Sequence, residues 1–274
     1  MTHTISFIAH DGLNQYVNQE LTNRFNHQTH QHDTLPLTQA DLTPEEALQT
    51  VYLTQSAQRA TLSLQTGRFS SLDDITLDDH EALQRLENTT YRVSCDRRGE
   101  HDFNSVDVEQ RLGGQLTSHD HTNINLQTPE NTVFVLIKDN YYHIGLDLTG
   151  RDLSNRQYKV FSSNEGINAC LGYAFLQEID FEDDTTVVNP FSRDGVLPIE
   201  TALEHKGVSV NHYDRDFKFD ALNLIDFFDI DTILDETDDN LPTPDMDIHC
   251  YDRDFRNLKA QKKNAKIDGV DDHI

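Results

Sequence analysis

Hydrophobic and polar positions along the chain alternate between two periods, and the changes of period mark out its elements. Residues 4–9 (Thr-Ile-Ser-Phe-Ile-Ala) read as a strand, and Leu13, Tyr16, Val17, Leu21 and Phe25 then share one helical face. A polar stretch rich in His and Gln reads as a loop. Thr43-Pro44-Glu45-Glu46 is a capping box with proline in the first turn, and it predicts a helix through Leu53. Arg59 to Leu64 alternates as a strand does. Strand, helix, helix, strand predicts a small α+β sandwich ending near residue 66.

A second α+β unit follows. Leu83 and Leu86 sit three apart on a predicted helix, Tyr91 to Cys95 alternates as a strand, and Ser105 to Leu116 reads as a helix. Thr132–Lys138 and Tyr141–Leu148 are strands joined at Asp139-Asn140, a dipeptide suited to a tight hairpin. A linker helix is expected over 161–178. From 179 onward the chain supplies a β-branched strand (Thr185 to Val188), a turn, a helix, an acidic excursion over roughly 207–246, a second strand (Asp247 to Tyr251) and a helix from Arg256 to Ile267. The predicted division is thus 1–66, 67–160, a linker at 161–178, and 179–274.

The strand-to-helix passage Val187-Val188-Asn189-Pro190-Phe191-Ser192-Arg193-Asp194-Gly195-Val196-Leu197-Pro198-Ile199-Glu200 carries the clearest chemistry. A tight loop between a strand and a helix N-terminus lets backbone N–H groups approach a ligand, and the helix dipole favours an anion. The run resembles the S-adenosylmethionine loop of methyltransferases that modify guanine N2 in RNA, with Pro190, Gly195, Pro198, Ile199 and Glu200 in register. A second segment, Arg97-Arg98-Gly99-Glu100-His101-Asp102-Phe103-Asn104-Ser105, resembles the core of the THUMP domain, an RNA-binding module. Ile144 to Gly150 and Arg156-Gln157-Tyr158-Lys159 resemble the same module's last strand and basic exit.

Together these features resemble the THUMP-containing tRNA guanine-N2 methyltransferases of archaea and bacteria. The resemblance implies an α+β ferredoxin-like N-terminal domain, a THUMP domain and an incomplete α/β, Rossmann-like class I methyltransferase domain. It implies tRNA contact through Arg97, Arg98, His101, Ser105, Arg156 and Lys159, and S-adenosylmethionine contact through Asn189, Pro190, Ser192, Gly195 and an acid that holds the ribose hydroxyls. Tyr-Asp-Arg-Asp occurs twice, at 213–216 and 251–254. Spacing from the glycine loop favours Asp214 or Asp216; the helix that follows the second copy favours Asp254, and the resemblance assigns the ribose contact to Asp254. Three departures imply weakened cofactor binding: Asn189 replaces the usual acid, Arg193 replaces a loop glycine, and Val196 replaces a threonine.

The family's catalytic tetrapeptide, Asn or Asp followed by Pro-Pro-aromatic, does not occur, and 74 residues follow Glu200. No catalytic residue is therefore assigned. Four readings stay open: a member of the methyltransferase family, an RNA-binding protein without catalysis, one half of a split enzyme completed by a second polypeptide, and a fragment of a longer enzyme.

Composition changes this picture in one respect. The 274 residues carry 48 Asp plus Glu against 22 Lys plus Arg, a net charge of −26. Self-repulsion on that scale suits a salt-rich cytoplasm, where screening shortens the reach of each charge. Cys95, Cys170 and Cys250 match no metal spacing, and His27, His30 and His32 lie in a polar stretch that reads as surface, so no metal is expected. With no signal-peptide pattern and no membrane-length apolar run, the expected location is the cytoplasm. Thermal unfolding should shift upward strongly between about 0.1 M and 3 M KCl, well past the range in which screening acts. A melting temperature indifferent to KCl would remove the halophilic reading.

Overall fold

The alternation at the start of the chain becomes β1 (His3–Ile8), whose last four residues are all buried. Ile5 and Phe7 face one core and Ile8 another, so this strand is covered on both sides. The computed structural model describes the chain except residues 79–80, 118–122, 164, 180, 182–184, 207, 226–229 and 242–246. The expected helix from Leu13 appears as α1 (Asn14–Gln19) running into a π-helical turn, Glu20–Arg24.

The His/Gln-rich stretch is not a loop throughout. It contains β2 (Thr29–Gln31), paired antiparallel with β3 (Leu37–Leu42) at the sheet edge. An edge strand can keep polar side chains on both faces, so the period-2 signal is lost. His27 bonds Thr50 Oγ1 at 2.8 Å, and His32 Nδ1 accepts the N–H groups of Thr34 and Leu35, both at 3.0 Å. Then come α2 (Pro44–Leu53), closed by the Thr43–Glu46 capping box, and the ten-residue β4 (Arg59–Arg68).

A 3₁₀ segment, Glu81–Leu86, stands where a helix was predicted, followed by β5 (Thr90–Arg98), α3 (Ser105–Leu116), β6 (Asn123–Ile124), β7 (Asn131–Lys138) and β8 (Tyr141–Asp147). Asn104 caps α3 by accepting from the N–H groups of Val106 and Asp107. The β7–β8 hairpin turns at Asp139, with φ +53°. All eight strands form one sheet in the order β2-β3-β1-β4-β8-β7-β5-β6. β4 pairs with β1 along one edge and with β8 along the other, with an irregularity at Ser63/Gln65. The expected division at residue 66 therefore falls inside a strand, and both α+β units share one sheet.

The linker helix is shorter than its prediction: α4 covers Ala169–Leu176. Asn168 caps it, and Gly166 sits where an added Cβ would lie 2.1 Å from Asp194 Oδ2, so the preceding segment is pinned against another loop. β9 (Thr186–Asn189), α5 (Val196–Lys206), α6 (Ile230–Asp239), β10 (Asp247–Cys250) and α7 (Phe255–Ile267) complete the fold. β9 and β10 are parallel, with Asn189 opposite Cys250.

A buried polar node joins this last part to the N-terminal unit. Glu200 of α5 accepts from Arg156 Nε at 2.9 Å, Tyr158 Oη at 2.6 Å and Gln55 Nε2 at 2.9 Å. Arg156 also donates to the carbonyls of Leu153 and Gln55, the latter at 2.6 Å. Both charged side chains are about fully enclosed, at 1% and 0% exposure. Arg156, expected to contact RNA, has its guanidinium facing a carboxylate inside the protein. Glu20 does similar work nearby, accepting from Thr54 Oγ1 at 2.6 Å and from the N–H groups of Gln55 and Ser56.

Asp268 lies beside this node, and its Oδ2 has no partner among the described residues. Burial, together with the negative field of Glu200 and against the pull of Arg156, pushes its carboxyl up to about 7. The folded state thus holds this proton more tightly than the unfolded chain. The stability the group contributes is complete below the unfolded value of about 4 and is lost as pH rises through about 7. Asp268→Asn should therefore leave the melting temperature nearly unchanged at the acid end of this window and raise it by several degrees at pH 8. A shift of the same size at every pH between these limits would show that the carboxyl titrates normally.

Candidate functional site

β9 ends because Pro190 has no N–H to continue the ladder, and the chain turns over the C-terminal edge of the β9–β10 pair. The turn is tied to the segment after β10 by backbone bonds: Tyr251 N–H donates to Asn189 O at 2.8 Å, and Ser192 N–H donates to Tyr251 O at 3.0 Å. Ser192 Oγ lies 3.0 Å from the same carbonyl. Gly195 has φ +91°, and a Cβ there would sit 2.6 Å from Gln261 Cγ, so the residue is glycine for close packing on α7. Asn189 Oδ1 accepts from Phe191 N–H at 3.1 Å, while its buried Nδ2 donates to nothing among the described residues. A buried donor without a partner at the end of the first strand of a parallel pair is a polar group left to be satisfied by something other than the described residues.

The second Tyr-Asp-Arg-Asp follows β10 directly, beside this loop. Asp254 caps α7, accepting from Arg256 N–H at 2.9 Å and pairing with the Arg256 side chain at 2.7 Å. Asp252 is the carboxylate that faces the loop: it accepts from Arg193 N–H at 3.0 Å, Asp254 N–H at 2.8 Å and Asn257 Nδ2 at 3.1 Å. Burial opposes its charge, but donation from the Asp254 and Arg193 N–H groups holds its carboxyl below the usual range. The first copy lies elsewhere, with Asp214 paired to Arg151 at 3.2 Å and Asp216 beside Lys218 at 3.4 Å.

Arg193, which replaces a loop glycine, takes φ +51°, a conformation that a side chain disfavours. Its guanidinium reaches Glu165 at 2.5 Å and stands 3.7 Å from Asp252. Residues on the approach to α4 thereby strap the loop: Ser163 N–H donates to Asp194 Oδ2 at 3.2 Å, and Lys159 Nζ lies 3.8 Å from the same oxygen. Lys159, expected on RNA, is committed to this strap and to Ile167 O. Residue pattern alone missed Asp252, Glu165 and Asp194. The one visible signal was the arginine in a glycine position.

The Arg97–Ser105 loop is also less basic in space than in sequence. Arg97 donates to Gly99 O at 3.0 Å and to His101 Nδ1 at 2.9 Å, and His101 Nε2 lies 2.6 Å from Asp139 O, an arrangement that fits the Nε2–H tautomer. Arg98 is tied to Asp96 at 2.7 Å, Asp11 at 3.0 Å and Ala9 O at 3.1 Å. It joins β5 to the segment after β1 and is not presented outward. Ser105 opens α3 and bonds the Cys95 thiol, which burial pushes up to about 12. The cleft beside His101 is walled by Phe69 and Phe103 and by the carboxylates of Glu100, Asp102, Asp107 and Asp139. His101 stacks on Phe103 at 5.2 Å between centroids.

Residues 75–147 match the sequence model of the THUMP domain, and residues 156–274 match that of the RMKL-like methyltransferase domain. The chain thus carries a THUMP domain followed by a domain of Rossmann-like methyltransferase fold. Its curated relatives include the tRNA (guanine(6)-N2)-methyltransferase of Methanocaldococcus jannaschii, 26% identical over 238 residues, which are 81% of this chain and 61% of the relative. The chain thus spans about three-fifths of that protein's length. Among solved structures, a possible methylase from Clostridium difficile 630 superimposes with a TM-score of 0.81 at 16% identity, over 100% of this chain and 74% of that one. SMU.472, solved in complex with SAH, follows at 0.76 and 17%, over 99% and 74%. Among the described residues no helix is long and apolar enough to cross a membrane, and no three His, Cys, Asp or Glu side chains group to hold a metal ion.

Proposed function

We propose that this chain binds tRNA and S-adenosylmethionine and serves the methylation of guanine N2, in the cytoplasm. What supports the reading is the order of the two matched domains along the chain together with the loop geometry at the β9–β10 edge. In this reading Asn189 Nδ2 donates to the cofactor, Pro190, Ser192 and Gly195 shape the loop around it, and the Asp252–Asp254 pair supplies the carboxylates near its ribose. Asp252 is the member of that pair aimed at the loop; Asp254 fixes the start of α7. When bound, the cofactor supplies an electrophilic methyl group; this chain's part is to hold and orient it, since positioning is the larger share of such catalysis. The outer edges of β9 and β10 have no strand partner among the described residues. Further strands, from a second polypeptide or a longer chain, would pair there and bring the guanine-binding groups.

A second reading, RNA binding without catalysis, draws on one observation: the Asp252 side chain is only 1% exposed, with the Arg193 guanidinium beside it. Calorimetric titration of SAH into the parent chain and into Arg193→Gly tests both. Glycine relieves the φ strain and uncovers Asp252, so binding should tighten by about tenfold, a gain of 1.4 kcal/mol. Asn189→Ala should weaken it. No SAH binding by either the parent or the glycine variant would discard the cofactor reading and leave the RNA-binding one.

A further inference from the structure

We propose that the outer face of α7, with the aromatic rings beside it, is a contact surface for the phosphate backbone of RNA. Six of the chain's 22 basic residues fall between Arg253 and Lys266, in a molecule whose net charge is −26. Arg253, Arg256, Lys259, Lys262, Lys263 and Lys266 are all exposed. Phe255, Lys259, Lys262/Lys263 and Lys266 recur every three or four residues and form one stripe. Eleven residues of helix extend about 16 Å, enough to follow several phosphates.

The charges on this stripe are not cancelled. Among the described residues no carboxylate forms an ion pair with Lys259, Lys262, Lys263 or Lys266; only Arg256 is paired, with Asp254. Two of the lysines rest on aromatic rings instead, Lys259 Nζ 4.9 Å from the Phe255 centroid and Lys263 Nζ 4.4 Å from that of Phe161. Those contacts position an ammonium group without neutralising it. The rings are themselves open to solvent, Phe255 at 67% and Phe161 at 39%. A solvated helix face in this chain looks different: α6 carries Asp231, Asp235, Glu236, Asp238 and Asp239 and no basic residue.

Alternating ammonium groups and exposed rings match nucleic acid, which offers phosphates to the first and base faces to the second. An acidic protein or a second copy of this chain would satisfy only the charge. The surface also supplies what the Arg97–Ser105 loop lacks, since its arginines are tied internally and its cleft is walled by carboxylates. The inference rests on the tRNA reading above but concerns a different face.

Fluorescence anisotropy of a labelled tRNA transcript, titrated with the full chain over a series of KCl concentrations, tests it. Replacing Lys259, Lys262, Lys263 and Lys266 together by Gln should flatten the slope of log affinity against log salt by about 3, from four lost phosphate contacts. The pair Lys262→Gln and Lys266→Gln should give about half that change and guards against misfolding of the fourfold variant. Phe255→Ala should weaken binding at every salt concentration with the slope unchanged. Lys138→Gln with Lys218→Gln, remote from α7, should leave the slope as it is. Parent binding with an unaltered slope and affinity in both the pair and the fourfold variant would overturn this inference alone. A parent chain that binds no tRNA would overturn the tRNA reading with it, and a change confined to oligomeric state by light scattering would assign the face to a second copy and overturn it too.

Discussion

Two opposite charges with almost no water around them hold the halves of this molecule in register. Burying Arg156 and Glu200 is costly, and the cost is met only because the carboxylate also receives Tyr158 and Gln55 while the guanidinium reaches two carbonyls. Removing one partner would strand the other, so the node is all-or-none. Its position matters because Glu200 lies on α5, the helix that the β9 loop enters. The same carboxylate that aligns with the family motif thus anchors the β9–α5 loop to the N-terminal unit.

Much of the architecture was legible as periodicity. β1, α2, α3 and the β7–β8 hairpin appear where apolar spacing and capping residues put them, because each buries one face and ends on a local signal. β2 was not legible, since an edge strand with solvent on both faces carries no alternation. The 161–178 helix was overestimated because its apolar content serves a strap as well as α4. The loop itself was found from residues; the roles of its charged groups were not. Arg156, Lys159 and Arg98 read as basic and therefore outward, and whether an arginine faces water or a buried carboxylate depends on residues distant in sequence.

The electrostatic picture follows the same lesson. Counting charges gives a uniformly acidic body, whereas their placement turns Arg156 and Arg98 inward and puts half of the chain's lysines on α7. Screening by salt shortens the reach of every charge, so what remains is contact chemistry, and contact chemistry depends on which side chains are free. Arg193 is the instructive case at the other extreme. It sits on a strained backbone in order to hold Glu165 and stand beside Asp252, so the loop's geometry and the availability of its acid are coupled through one side chain.

β4 pairs with β1 on one side and β8 on the other, so the first unit and the THUMP unit are a single plate and not two hinged bodies. Bending between them would require breaking ladder bonds in the middle of a sheet. The plate therefore behaves as a ruler: the spacing of its two edge strands, β2 and β6, is set by the ladder between them and not by a linker.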